Sequence, residues 1–165
     1  MSKVYDDLMA AFAGESMANR KYLAYAKKAD EEGYSQAARL FRAVAHAETI
    51  HAINHLKRAG EVHSTTENLK AAAEGENYES TEMYPGFMKD AEAEGNKPAF
   101  TSFHWANEAE KVHEVLYREM LDSLSKEGED YDYYICPVCG YTEKRGAPEK
   151  CPVCGVPGTR FEKIS

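Results

Sequence analysis

Cysteine is absent from the chain until position 136, and all four cysteines lie in its last thirty residues. Positive charge is also scarce, since 20 Lys and Arg residues stand against 28 Asp and Glu residues, giving a net charge of −8. This balance disfavours nucleic acid or an anionic membrane as a partner. No run of 18 apolar residues occurs, and the first sixteen residues lack a basic segment followed by an apolar one. We therefore expect a cytoplasmic protein without a membrane span.

Strand-like alternation is missing from residues 4–127, which are rich in helix-forming residues. The punctuation predicts four helices, at 4–32, 35–59, 66–94 and 98–127, ending at Gly33, Gly60, Gly95 and Gly128. The chain also repeats itself 62 positions later, because Phe41, Glu48 and His51 recur as Phe103, Glu110 and His113. Two similar helical hairpins that form one bundle explain this repeat.

The C-terminal segment is rich in Pro and Gly and too short to fold on a hydrophobic core alone. We place a domain boundary near residue 130, with one domain at 1–130 and a second at 131–165. The second contains two Cys-x-x-Cys knuckles, each followed by Gly, with the cysteines at Cys136, Cys139, Cys151 and Cys154. Four thiolates predict a tetrahedral metal site, which zinc and iron fill equally well.

Glutamate and histidine recur at inward positions of the second and fourth predicted helices. Each helix contributes a Glu-x-x-His pair, namely Glu48 with His51 and Glu110 with His113. The other two helices offer Glu15 on an apolar stripe and the pair Glu79 and Glu82 at i, i+3 spacing. An inward carboxylate requires a cation, and this combination of ligands is typical of ferritin-like di-iron and di-manganese proteins. The donors suit iron or manganese.

The chain resembles the rubrerythrin family in its segments FAGESMANRKY, AHAETIH, ENYESTEMYPGF and EAEKVH and in its rubredoxin-like tail. The resemblance implies an all-α, four-helix ferritin-like bundle followed by a small rubredoxin-like metal-bound β/loop domain. It also implies two iron ions in the bundle and one iron ion on the four cysteines. The bundle ligands would be Glu15, Glu48, His51, Glu79, Glu82, Glu110 and His113, with Glu48 and Glu110 bridging.

The same resemblance assigns catalytic roles to three side chains. Glu82 would give way to His51 as a ligand on reduction, and we expect it to carry protons. Tyr22 and Tyr84 would donate hydrogen bonds beside the metals. Pro85 removes one backbone hydrogen bond of the third helix, so we expect the turn that carries Glu82 to be loosened.

The expected activity is that of a peroxidase in oxidative-stress defence. Hydrogen peroxide would be reduced to water with electrons relayed through the cysteine-bound iron, from a rubredoxin-type donor or an NAD(P)H reductase. Oxidation of ferrous iron for storage or detoxification is the main alternative, and a helical interaction module with a structural zinc ribbon is a third. The short connection at residues 60–65 further predicts a homodimer with swapped hairpins, and the family resemblance implies electron transfer between its chains.

Overall fold

The computed structural model describes residues 2–125 and 130–165, and it confirms the predicted fold class: a mostly helical chain with a small strand-and-loop segment at its C-terminal end. The α-helices are α1 (Lys3–Glu31), α2 (Ser35–Ala59), α3 (Thr65–Tyr78), α4 (Tyr84–Ala93) and α5 (Lys97–Ser123). A π-helical turn (Glu79–Met83) joins α3 to α4, so the predicted third helix is one element with a wide turn inside it. The predicted helix end at Gly128 lies outside the described residues. No helix within them is long and apolar enough to cross a membrane.

Glycines and polar caps set the helix boundaries. Gly33, Gly60 and Gly95 follow their helices with φ of 82°, 85° and 67°, a left-handed conformation that glycine adopts without strain. Ser64 opens α3 with a capping box, because its hydroxyl accepts from the Glu67 N–H while the Glu67 carboxylate accepts from the Ser64 N–H. The start of α3 at Thr65 is therefore encoded locally.

The chain divides into two compact units, Met1–His63 and Ser64–Ser165. In the first unit α1 packs along α2 through small buried residues, namely Ala26, Ala29, Ala38 and Ala45. Asn19 is buried in this interface, and its amide donates to the Ala45 carbonyl at 2.6 Å and to the Thr49 hydroxyl at 2.8 Å. Short side chains allow the two helices to approach closely, and the paired amide holds their register.

In the second unit α3, the π-helical turn and α4 pack along α5. The C-terminal segment forms a three-stranded antiparallel sheet in the order β2 (Thr142–Lys144), β1 (Tyr133–Ile135) and β3 (Glu162–Ile164). Strand β2 contacts α5, and Lys144 forms an ion pair with Glu119 of that helix. The cysteine segment is thus part of the same compact unit as the second hairpin, while the domain boundary near residue 130 stays a prediction.

Candidate metal centres

The first hairpin gathers three of the predicted ligands. Glu15 of α1 meets Glu48 and His51 of α2, with one ligand atom from each within 4.8 Å of the others. The His51 Nδ1 atom lies 2.8 Å from Glu48 Oε2, as the i, i+3 spacing on one helix face predicts. We call Glu15, Glu48 and His51 the first half-site.

The second hairpin gathers a matching group, Glu76, Glu110 and His113, which we call the second half-site. The His113 Nδ1 atom lies 2.6 Å from Glu110 Oε2 and 3.7 Å from Glu76 Oε2. These three side chains are better covered than the exposed imidazole of the first half-site, since 24% of the His113 side chain and 54% of the His51 side chain remain accessible. Each hairpin therefore offers two carboxylates and one imidazole.

Carboxylates crowd one another in the second half-site. The pKa of Glu76 is raised to about 7, chiefly by burial and also by the negative charge of Glu110, while His113 offsets part of the rise. Burial and Glu110 likewise raise the pKa of Glu79. Partly buried carboxylates this close together are stabilised in their ionised form only by a nearby cation.

The structure places Glu76, a residue that was not among the predicted ligands, beside Glu110 and His113, while the predicted ligands Glu79 and Glu82 lie outside that group. Glu79 is half-buried, and burial and the negative charge of Glu110 raise its pKa. In an α-helix, side chains three positions apart differ by about 60° in direction, so Glu79 lies at the edge of the helix face on which Glu76 meets Glu110. Glu82 lies inside the π-helical turn, where this angle does not apply, and its side chain is exposed.

Glu76 was missed because the repeat was compared at a single offset. Before the π-helical turn the offset is 61, since Gly14 and Glu15 recur as Gly75 and Glu76; after it the offset is 62, since Tyr22 recurs as Tyr84. A repeat comparison that allowed one inserted residue could have found Glu76 as the partner of Glu15.

The inserted residue is accommodated by the π-helical turn. The Tyr84 N–H donates to the Glu79 carbonyl, five residues back, and the following Pro85 has no N–H to donate. The loosened turn expected at Pro85 is present. π-Helical turns of this kind are frequent at functional sites.

The two predicted tyrosines occupy corresponding places in the two hairpins. The Tyr22 ring packs on Phe41 with centroids 6.3 Å apart, and the Tyr84 ring packs on Phe103 at 6.4 Å. Burial raises the pKa of Tyr84, and the charges of Glu110, Glu79 and Glu76 raise it further. The Tyr84 hydroxyl therefore stays protonated beside the carboxylates of the second half-site.

The cysteine segment contacts His113 at Nε2, the ring nitrogen that does not contact the carboxylates. Its Nε2 atom lies 3.1 Å from the Gly140 carbonyl oxygen and 3.0 Å from Thr142 Oγ1. The carbonyl can only accept, so Nε2 carries a hydrogen, and Nδ1 donates to the Glu110 carboxylate when the ring is protonated. In the neutral ring with its hydrogen on Nε2, Nδ1 has a lone pair that can bind a metal ion. Burial lowers the pKa of His113, but the hydrogen bond and charge of Glu110 and the bond to Gly140 outweigh it and raise the pKa overall.

The four cysteines converge on one point. Sγ–Sγ distances are 3.5 Å for Cys136 with Cys154 and 3.5 Å for Cys139 with Cys151, and all four sulfurs lie within 4.8 Å of one another. A tetrahedron with metal–sulfur bonds of about 2.3 Å has edges of about 3.8 Å. Burial raises the pKa of Cys151, but N–H groups of Cys154 and Val153 lower it to about 7 overall, which favours a thiolate there.

Both sets of donors fit the iron cofactors that the sequence predicts. The carboxylate and imidazole groups of the half-sites are the donors of a di-iron carboxylate site, and their mutual repulsion is what bound cations would relieve. The four convergent sulfurs fit a rubredoxin-like iron site.

Comparison with known proteins gives consistent matches over nearly the whole chain. The family model for rubrerythrin matches residues 6–121, and the model for the rubrerythrin rubredoxin-like domain matches residues 134–162. Rubrerythrin-2 of Clostridium acetobutylicum is 40% identical over 174 residues, covering 95% of this chain and 94% of the relative. Nigerythrin of Nitratidesulfovibrio vulgaris is 39% identical over 170 residues, covering 94% and 84%. A solved structure of fully reduced, all-ferrous nigerythrin aligns with a TM-score of 0.61 at 37% identity, covering 99% of this chain and 88% of that one.

Proposed function

The chain belongs to the rubrerythrin family, and from this premise we propose that it is a peroxidase that reduces hydrogen peroxide to water. The family and the donor sets make it an oxidoreductase with a di-iron carboxylate site and a rubredoxin-like iron site. The observation that carries the peroxidase proposal is the contact of His113 with the cysteine segment, because it joins a candidate reaction site to a candidate electron supply. A protein that only oxidised iron would need no such supply.

We propose seven ligands for the iron pair: Glu15, Glu48, His51, Glu76, Glu79, Glu110 and His113. When bound, the pair supplies the two electrons that break the O–O bond, and iron at the cysteines replaces them one at a time. Glu48 and Glu110 would each contribute a carboxylate to hold the pair. Glu79, at the edge of the second half-site, replaces the exposed Glu82 of the sequence prediction as the carboxylate that would alternate with His51 as a ligand.

Reduction of one peroxide to two waters consumes two protons along with the two electrons. Tyr84 holds a proton near the second half-site, since burial and the neighbouring carboxylates raise the pKa of its hydroxyl further above neutral. Burial and the charge of Glu110 also raise the pKa of Glu79. Glu82, exposed in the π-helical turn, is the candidate that would carry protons in from solvent. Tyr22 would donate a hydrogen bond from the matching position of the first hairpin in this proposal.

The ligand set is divided between the two units, and the length of their connection favours a swapped homodimer. Helix α2 runs eight residues past His51 and α3 starts eleven residues before Glu76, distances of about 12 Å and about 16 Å. If α2 and α3 run parallel with their ligands level, the connection must span about 28 Å. The Cα atoms of Ala59 and Thr65 can be at most about 22 Å apart. We therefore propose that one chain's first half-site faces the partner's second half-site.

Complementation tests the swapped arrangement. A Glu15→Ala chain and a Glu110→Ala chain each damage one half-site, so neither homodimer holds an intact pair. In a swapped heterodimer one site combines the two undamaged halves, and we expect about half of the wild-type di-iron content. A heterodimer without any intact di-iron site would contradict the swap.

Peroxide turnover with a rubredoxin-type donor and an NAD(P)H reductase tests the proposed activity. Cys139→Ser should abolish the relay and slow turnover by at least about tenfold, while the reduced iron pair still reacts once with peroxide. Undiminished turnover in Cys139→Ser would contradict the relay. Rapid oxidation of added ferrous iron with mineral formation, and no peroxide turnover, would favour iron handling instead. We also propose a reducing compartment such as the cytoplasm, where the four free cysteines would stay available to bind iron.

A further inference from the structure

A cavity lies between α3, α5 and the sheet of the cysteine segment, all within the second compact unit. Its volume is about 420 Å³, which falls within the range of about 300–1,000 Å³ that is typical of small-molecule sites. One water molecule takes up about 30 Å³ in the liquid, and hydrogen peroxide has only one oxygen atom more. The cavity is therefore several times larger than hydrogen peroxide needs.

The walls of this cavity come from one face of a helix and one face of a sheet. On α5 the lining residues stand at positions 113, 116, 117 and 120, which is the spacing of a single helix face. The sheet contributes two directly opposed pairs on one face, namely Ile135 with Thr142 and Tyr133 with Ile164. Ile164 is 54% accessible, so the cavity reaches solvent beside β3.

Most of the cavity wall is apolar. Aliphatic and thioether side chains form it, namely Leu69, Leu116, Met120, Ile135 and Ile164. Contact with a hydrocarbon group removes such a wall from water, which is favourable. The flexible Met120 side chain can adapt to hydrocarbon groups of different shape. The wall therefore favours a ligand with an organic group over a small polar one.

One polar group of the cavity is left without a partner. His113 Nε2, the Thr142 hydroxyl and the Gly140 carbonyl bond to one another. The Tyr133 hydroxyl donates to that of a neighbouring tyrosine at 3.5 Å. Among the described residues, the Tyr117 hydroxyl has no hydrogen-bond partner. It is therefore available to donate to a ligand in the cavity.

Tyr117 also connects the cavity to the second half-site. It follows His113 by four residues, so the two side chains lie on the same face of α5. Burial raises the pKa of the Tyr117 hydroxyl, as do the negative charges of Glu76 and Glu110, so the hydroxyl keeps its hydrogen beside these carboxylates. A ligand that accepts from Tyr117 thus has its polar end near the half-site and its organic end against the apolar wall.

We propose that this cavity binds the organic group of alkyl and aryl hydroperoxides, which the protein reduces in addition to hydrogen peroxide. The proposal rests on the proposed function and names a second substrate class for the same site. Tyr117 donates to the hydroperoxide oxygens while the organic group packs on the apolar wall. The O–O bond breaks as two electrons and two protons are taken up from the supply that serves hydrogen peroxide. One oxygen leaves as water, and the other stays on the organic group as an alcohol.

Binding can be tested without turnover, in zinc-loaded full-length protein with ¹³C-labelled methionine methyl groups. The probe is cumyl alcohol, the alcohol formed when cumene hydroperoxide is reduced. The Met120 methyl signal should shift with a Kd below about 1 mM, while that of Met17, exposed on α1, should not. Tyr117→Phe should weaken binding about fivefold, because it removes the hydroxyl donor. No shift at Met120 would show that the cavity is filled in the assembled protein, for example by the partner's first hairpin, and would overturn the proposal.

Substrate preference provides the second test. Wild-type protein should reduce cumene hydroperoxide as well as hydrogen peroxide. Met120→Trp places a larger side chain in the cavity, so the ratio of kcat/KM for cumene hydroperoxide to that for hydrogen peroxide should fall at least about tenfold. Val115→Trp is the matched control, because Val115 is exposed on the same helix and does not line the cavity. An unchanged ratio in Met120→Trp would contradict the cavity as the site of the organic group.

Failure of this proposal can be told apart from failure of the proposed peroxidase. Wild-type protein that reduces hydrogen peroxide but neither binds cumyl alcohol nor reduces cumene hydroperoxide would overturn the proposal alone. Binding of the alcohol with reduction of hydrogen peroxide only would make the cavity a ligand site and would also overturn the second substrate class. Reduction of neither peroxide would contradict the peroxidase function and, with it, the role of the cavity in substrate binding.

Discussion

The two hairpins carry the same Glu-x-x-His motif, but they hold its histidine differently. His113 is engaged at both ring nitrogens, by Glu110 on one side and by Gly140 and Thr142 on the other. His51 is engaged at Nδ1 by Glu48, and among the described residues its Nε2 has no hydrogen-bond partner. One motif therefore gives an imidazole held at both nitrogens in the second hairpin and one held at a single nitrogen in the first.

The second hairpin also has features that the first lacks. It holds the π-helical turn, the additional carboxylate Glu79 at the edge of its half-site, and the cysteine segment against α5. In the proposed exchange of ligands, His51 would be the imidazole that changes place, because fewer contacts hold it than hold His113.

The largest expected effect separates the two histidines. His113→Ala should lower iron affinity by more than about 100-fold, because it removes a ligand and also the anchor of the cysteine segment. His51→Ala should lower it by only about tenfold, since Glu79 can take the vacated position. Titration of the metal-free variants with ferrous iron under anaerobic conditions measures both. Equal losses would show that the hairpins are equivalent.

A smaller effect is expected at the π-helical turn. Pro85→Ala restores an N–H that can bond the Thr81 carbonyl, so the unfolding free energy of the metal-free protein should rise by about 1 kcal/mol. Pro98→Ala is the control, because Pro98 lies in the first turn of α5, where its missing N–H costs little. Denaturant unfolding measures the difference. A loss of stability in Pro85→Ala would mean that the proline favours the turn.

The pH dependence of the metal-free protein should reveal the crowded second half-site. Burial raises the pKa of Glu76 from 4.5 to about 7, so the folded chain binds this proton more tightly than the unfolded chain does. Stability from this group is therefore present below pH 4.5 and is lost as the pH rises to about 7. Glu76→Gln should flatten that slope in thermal unfolding curves. An unchanged slope would remove Glu76 as its origin.

The smallest expected effect concerns the exposed pair of the cysteine segment. Lys144→Ala should change the free energy of unfolding by less than about 1 kcal/mol, because both partners are partly in solvent. The charge-reversed double variant Lys144→Glu with Glu119→Lys should recover most of that loss. Chemical denaturation at low and high salt provides the measurement. A larger, salt-independent loss would show that the pair contributes more to docking than its exposure indicates.

Local rules were sufficient to predict much of this architecture. Glycines at helix ends and the i, i+3 spacing of Glu110 and His113 act within a turn or two, and the sequence displays both. Glu76 was not predicted, because one inserted residue changes the repeat offset from 61 to 62. A comparison at the single offset of 62 does not align Glu76 with Glu15. The contact of Gly140 and Thr142 with His113 was not predicted, because it depends on tertiary packing between residues that are far apart in the sequence.

The most direct test of the account is an anaerobic titration of the fully reduced, iron-loaded protein with hydrogen peroxide, following the visible absorption of both iron centres. We expect both centres to be oxidised rapidly, with two electrons removed for each peroxide consumed. Oxidation of the iron pair without the cysteine-bound iron would contradict the relay. Oxidation of neither centre by peroxide, with a response to dioxygen alone, would contradict the peroxidase function itself.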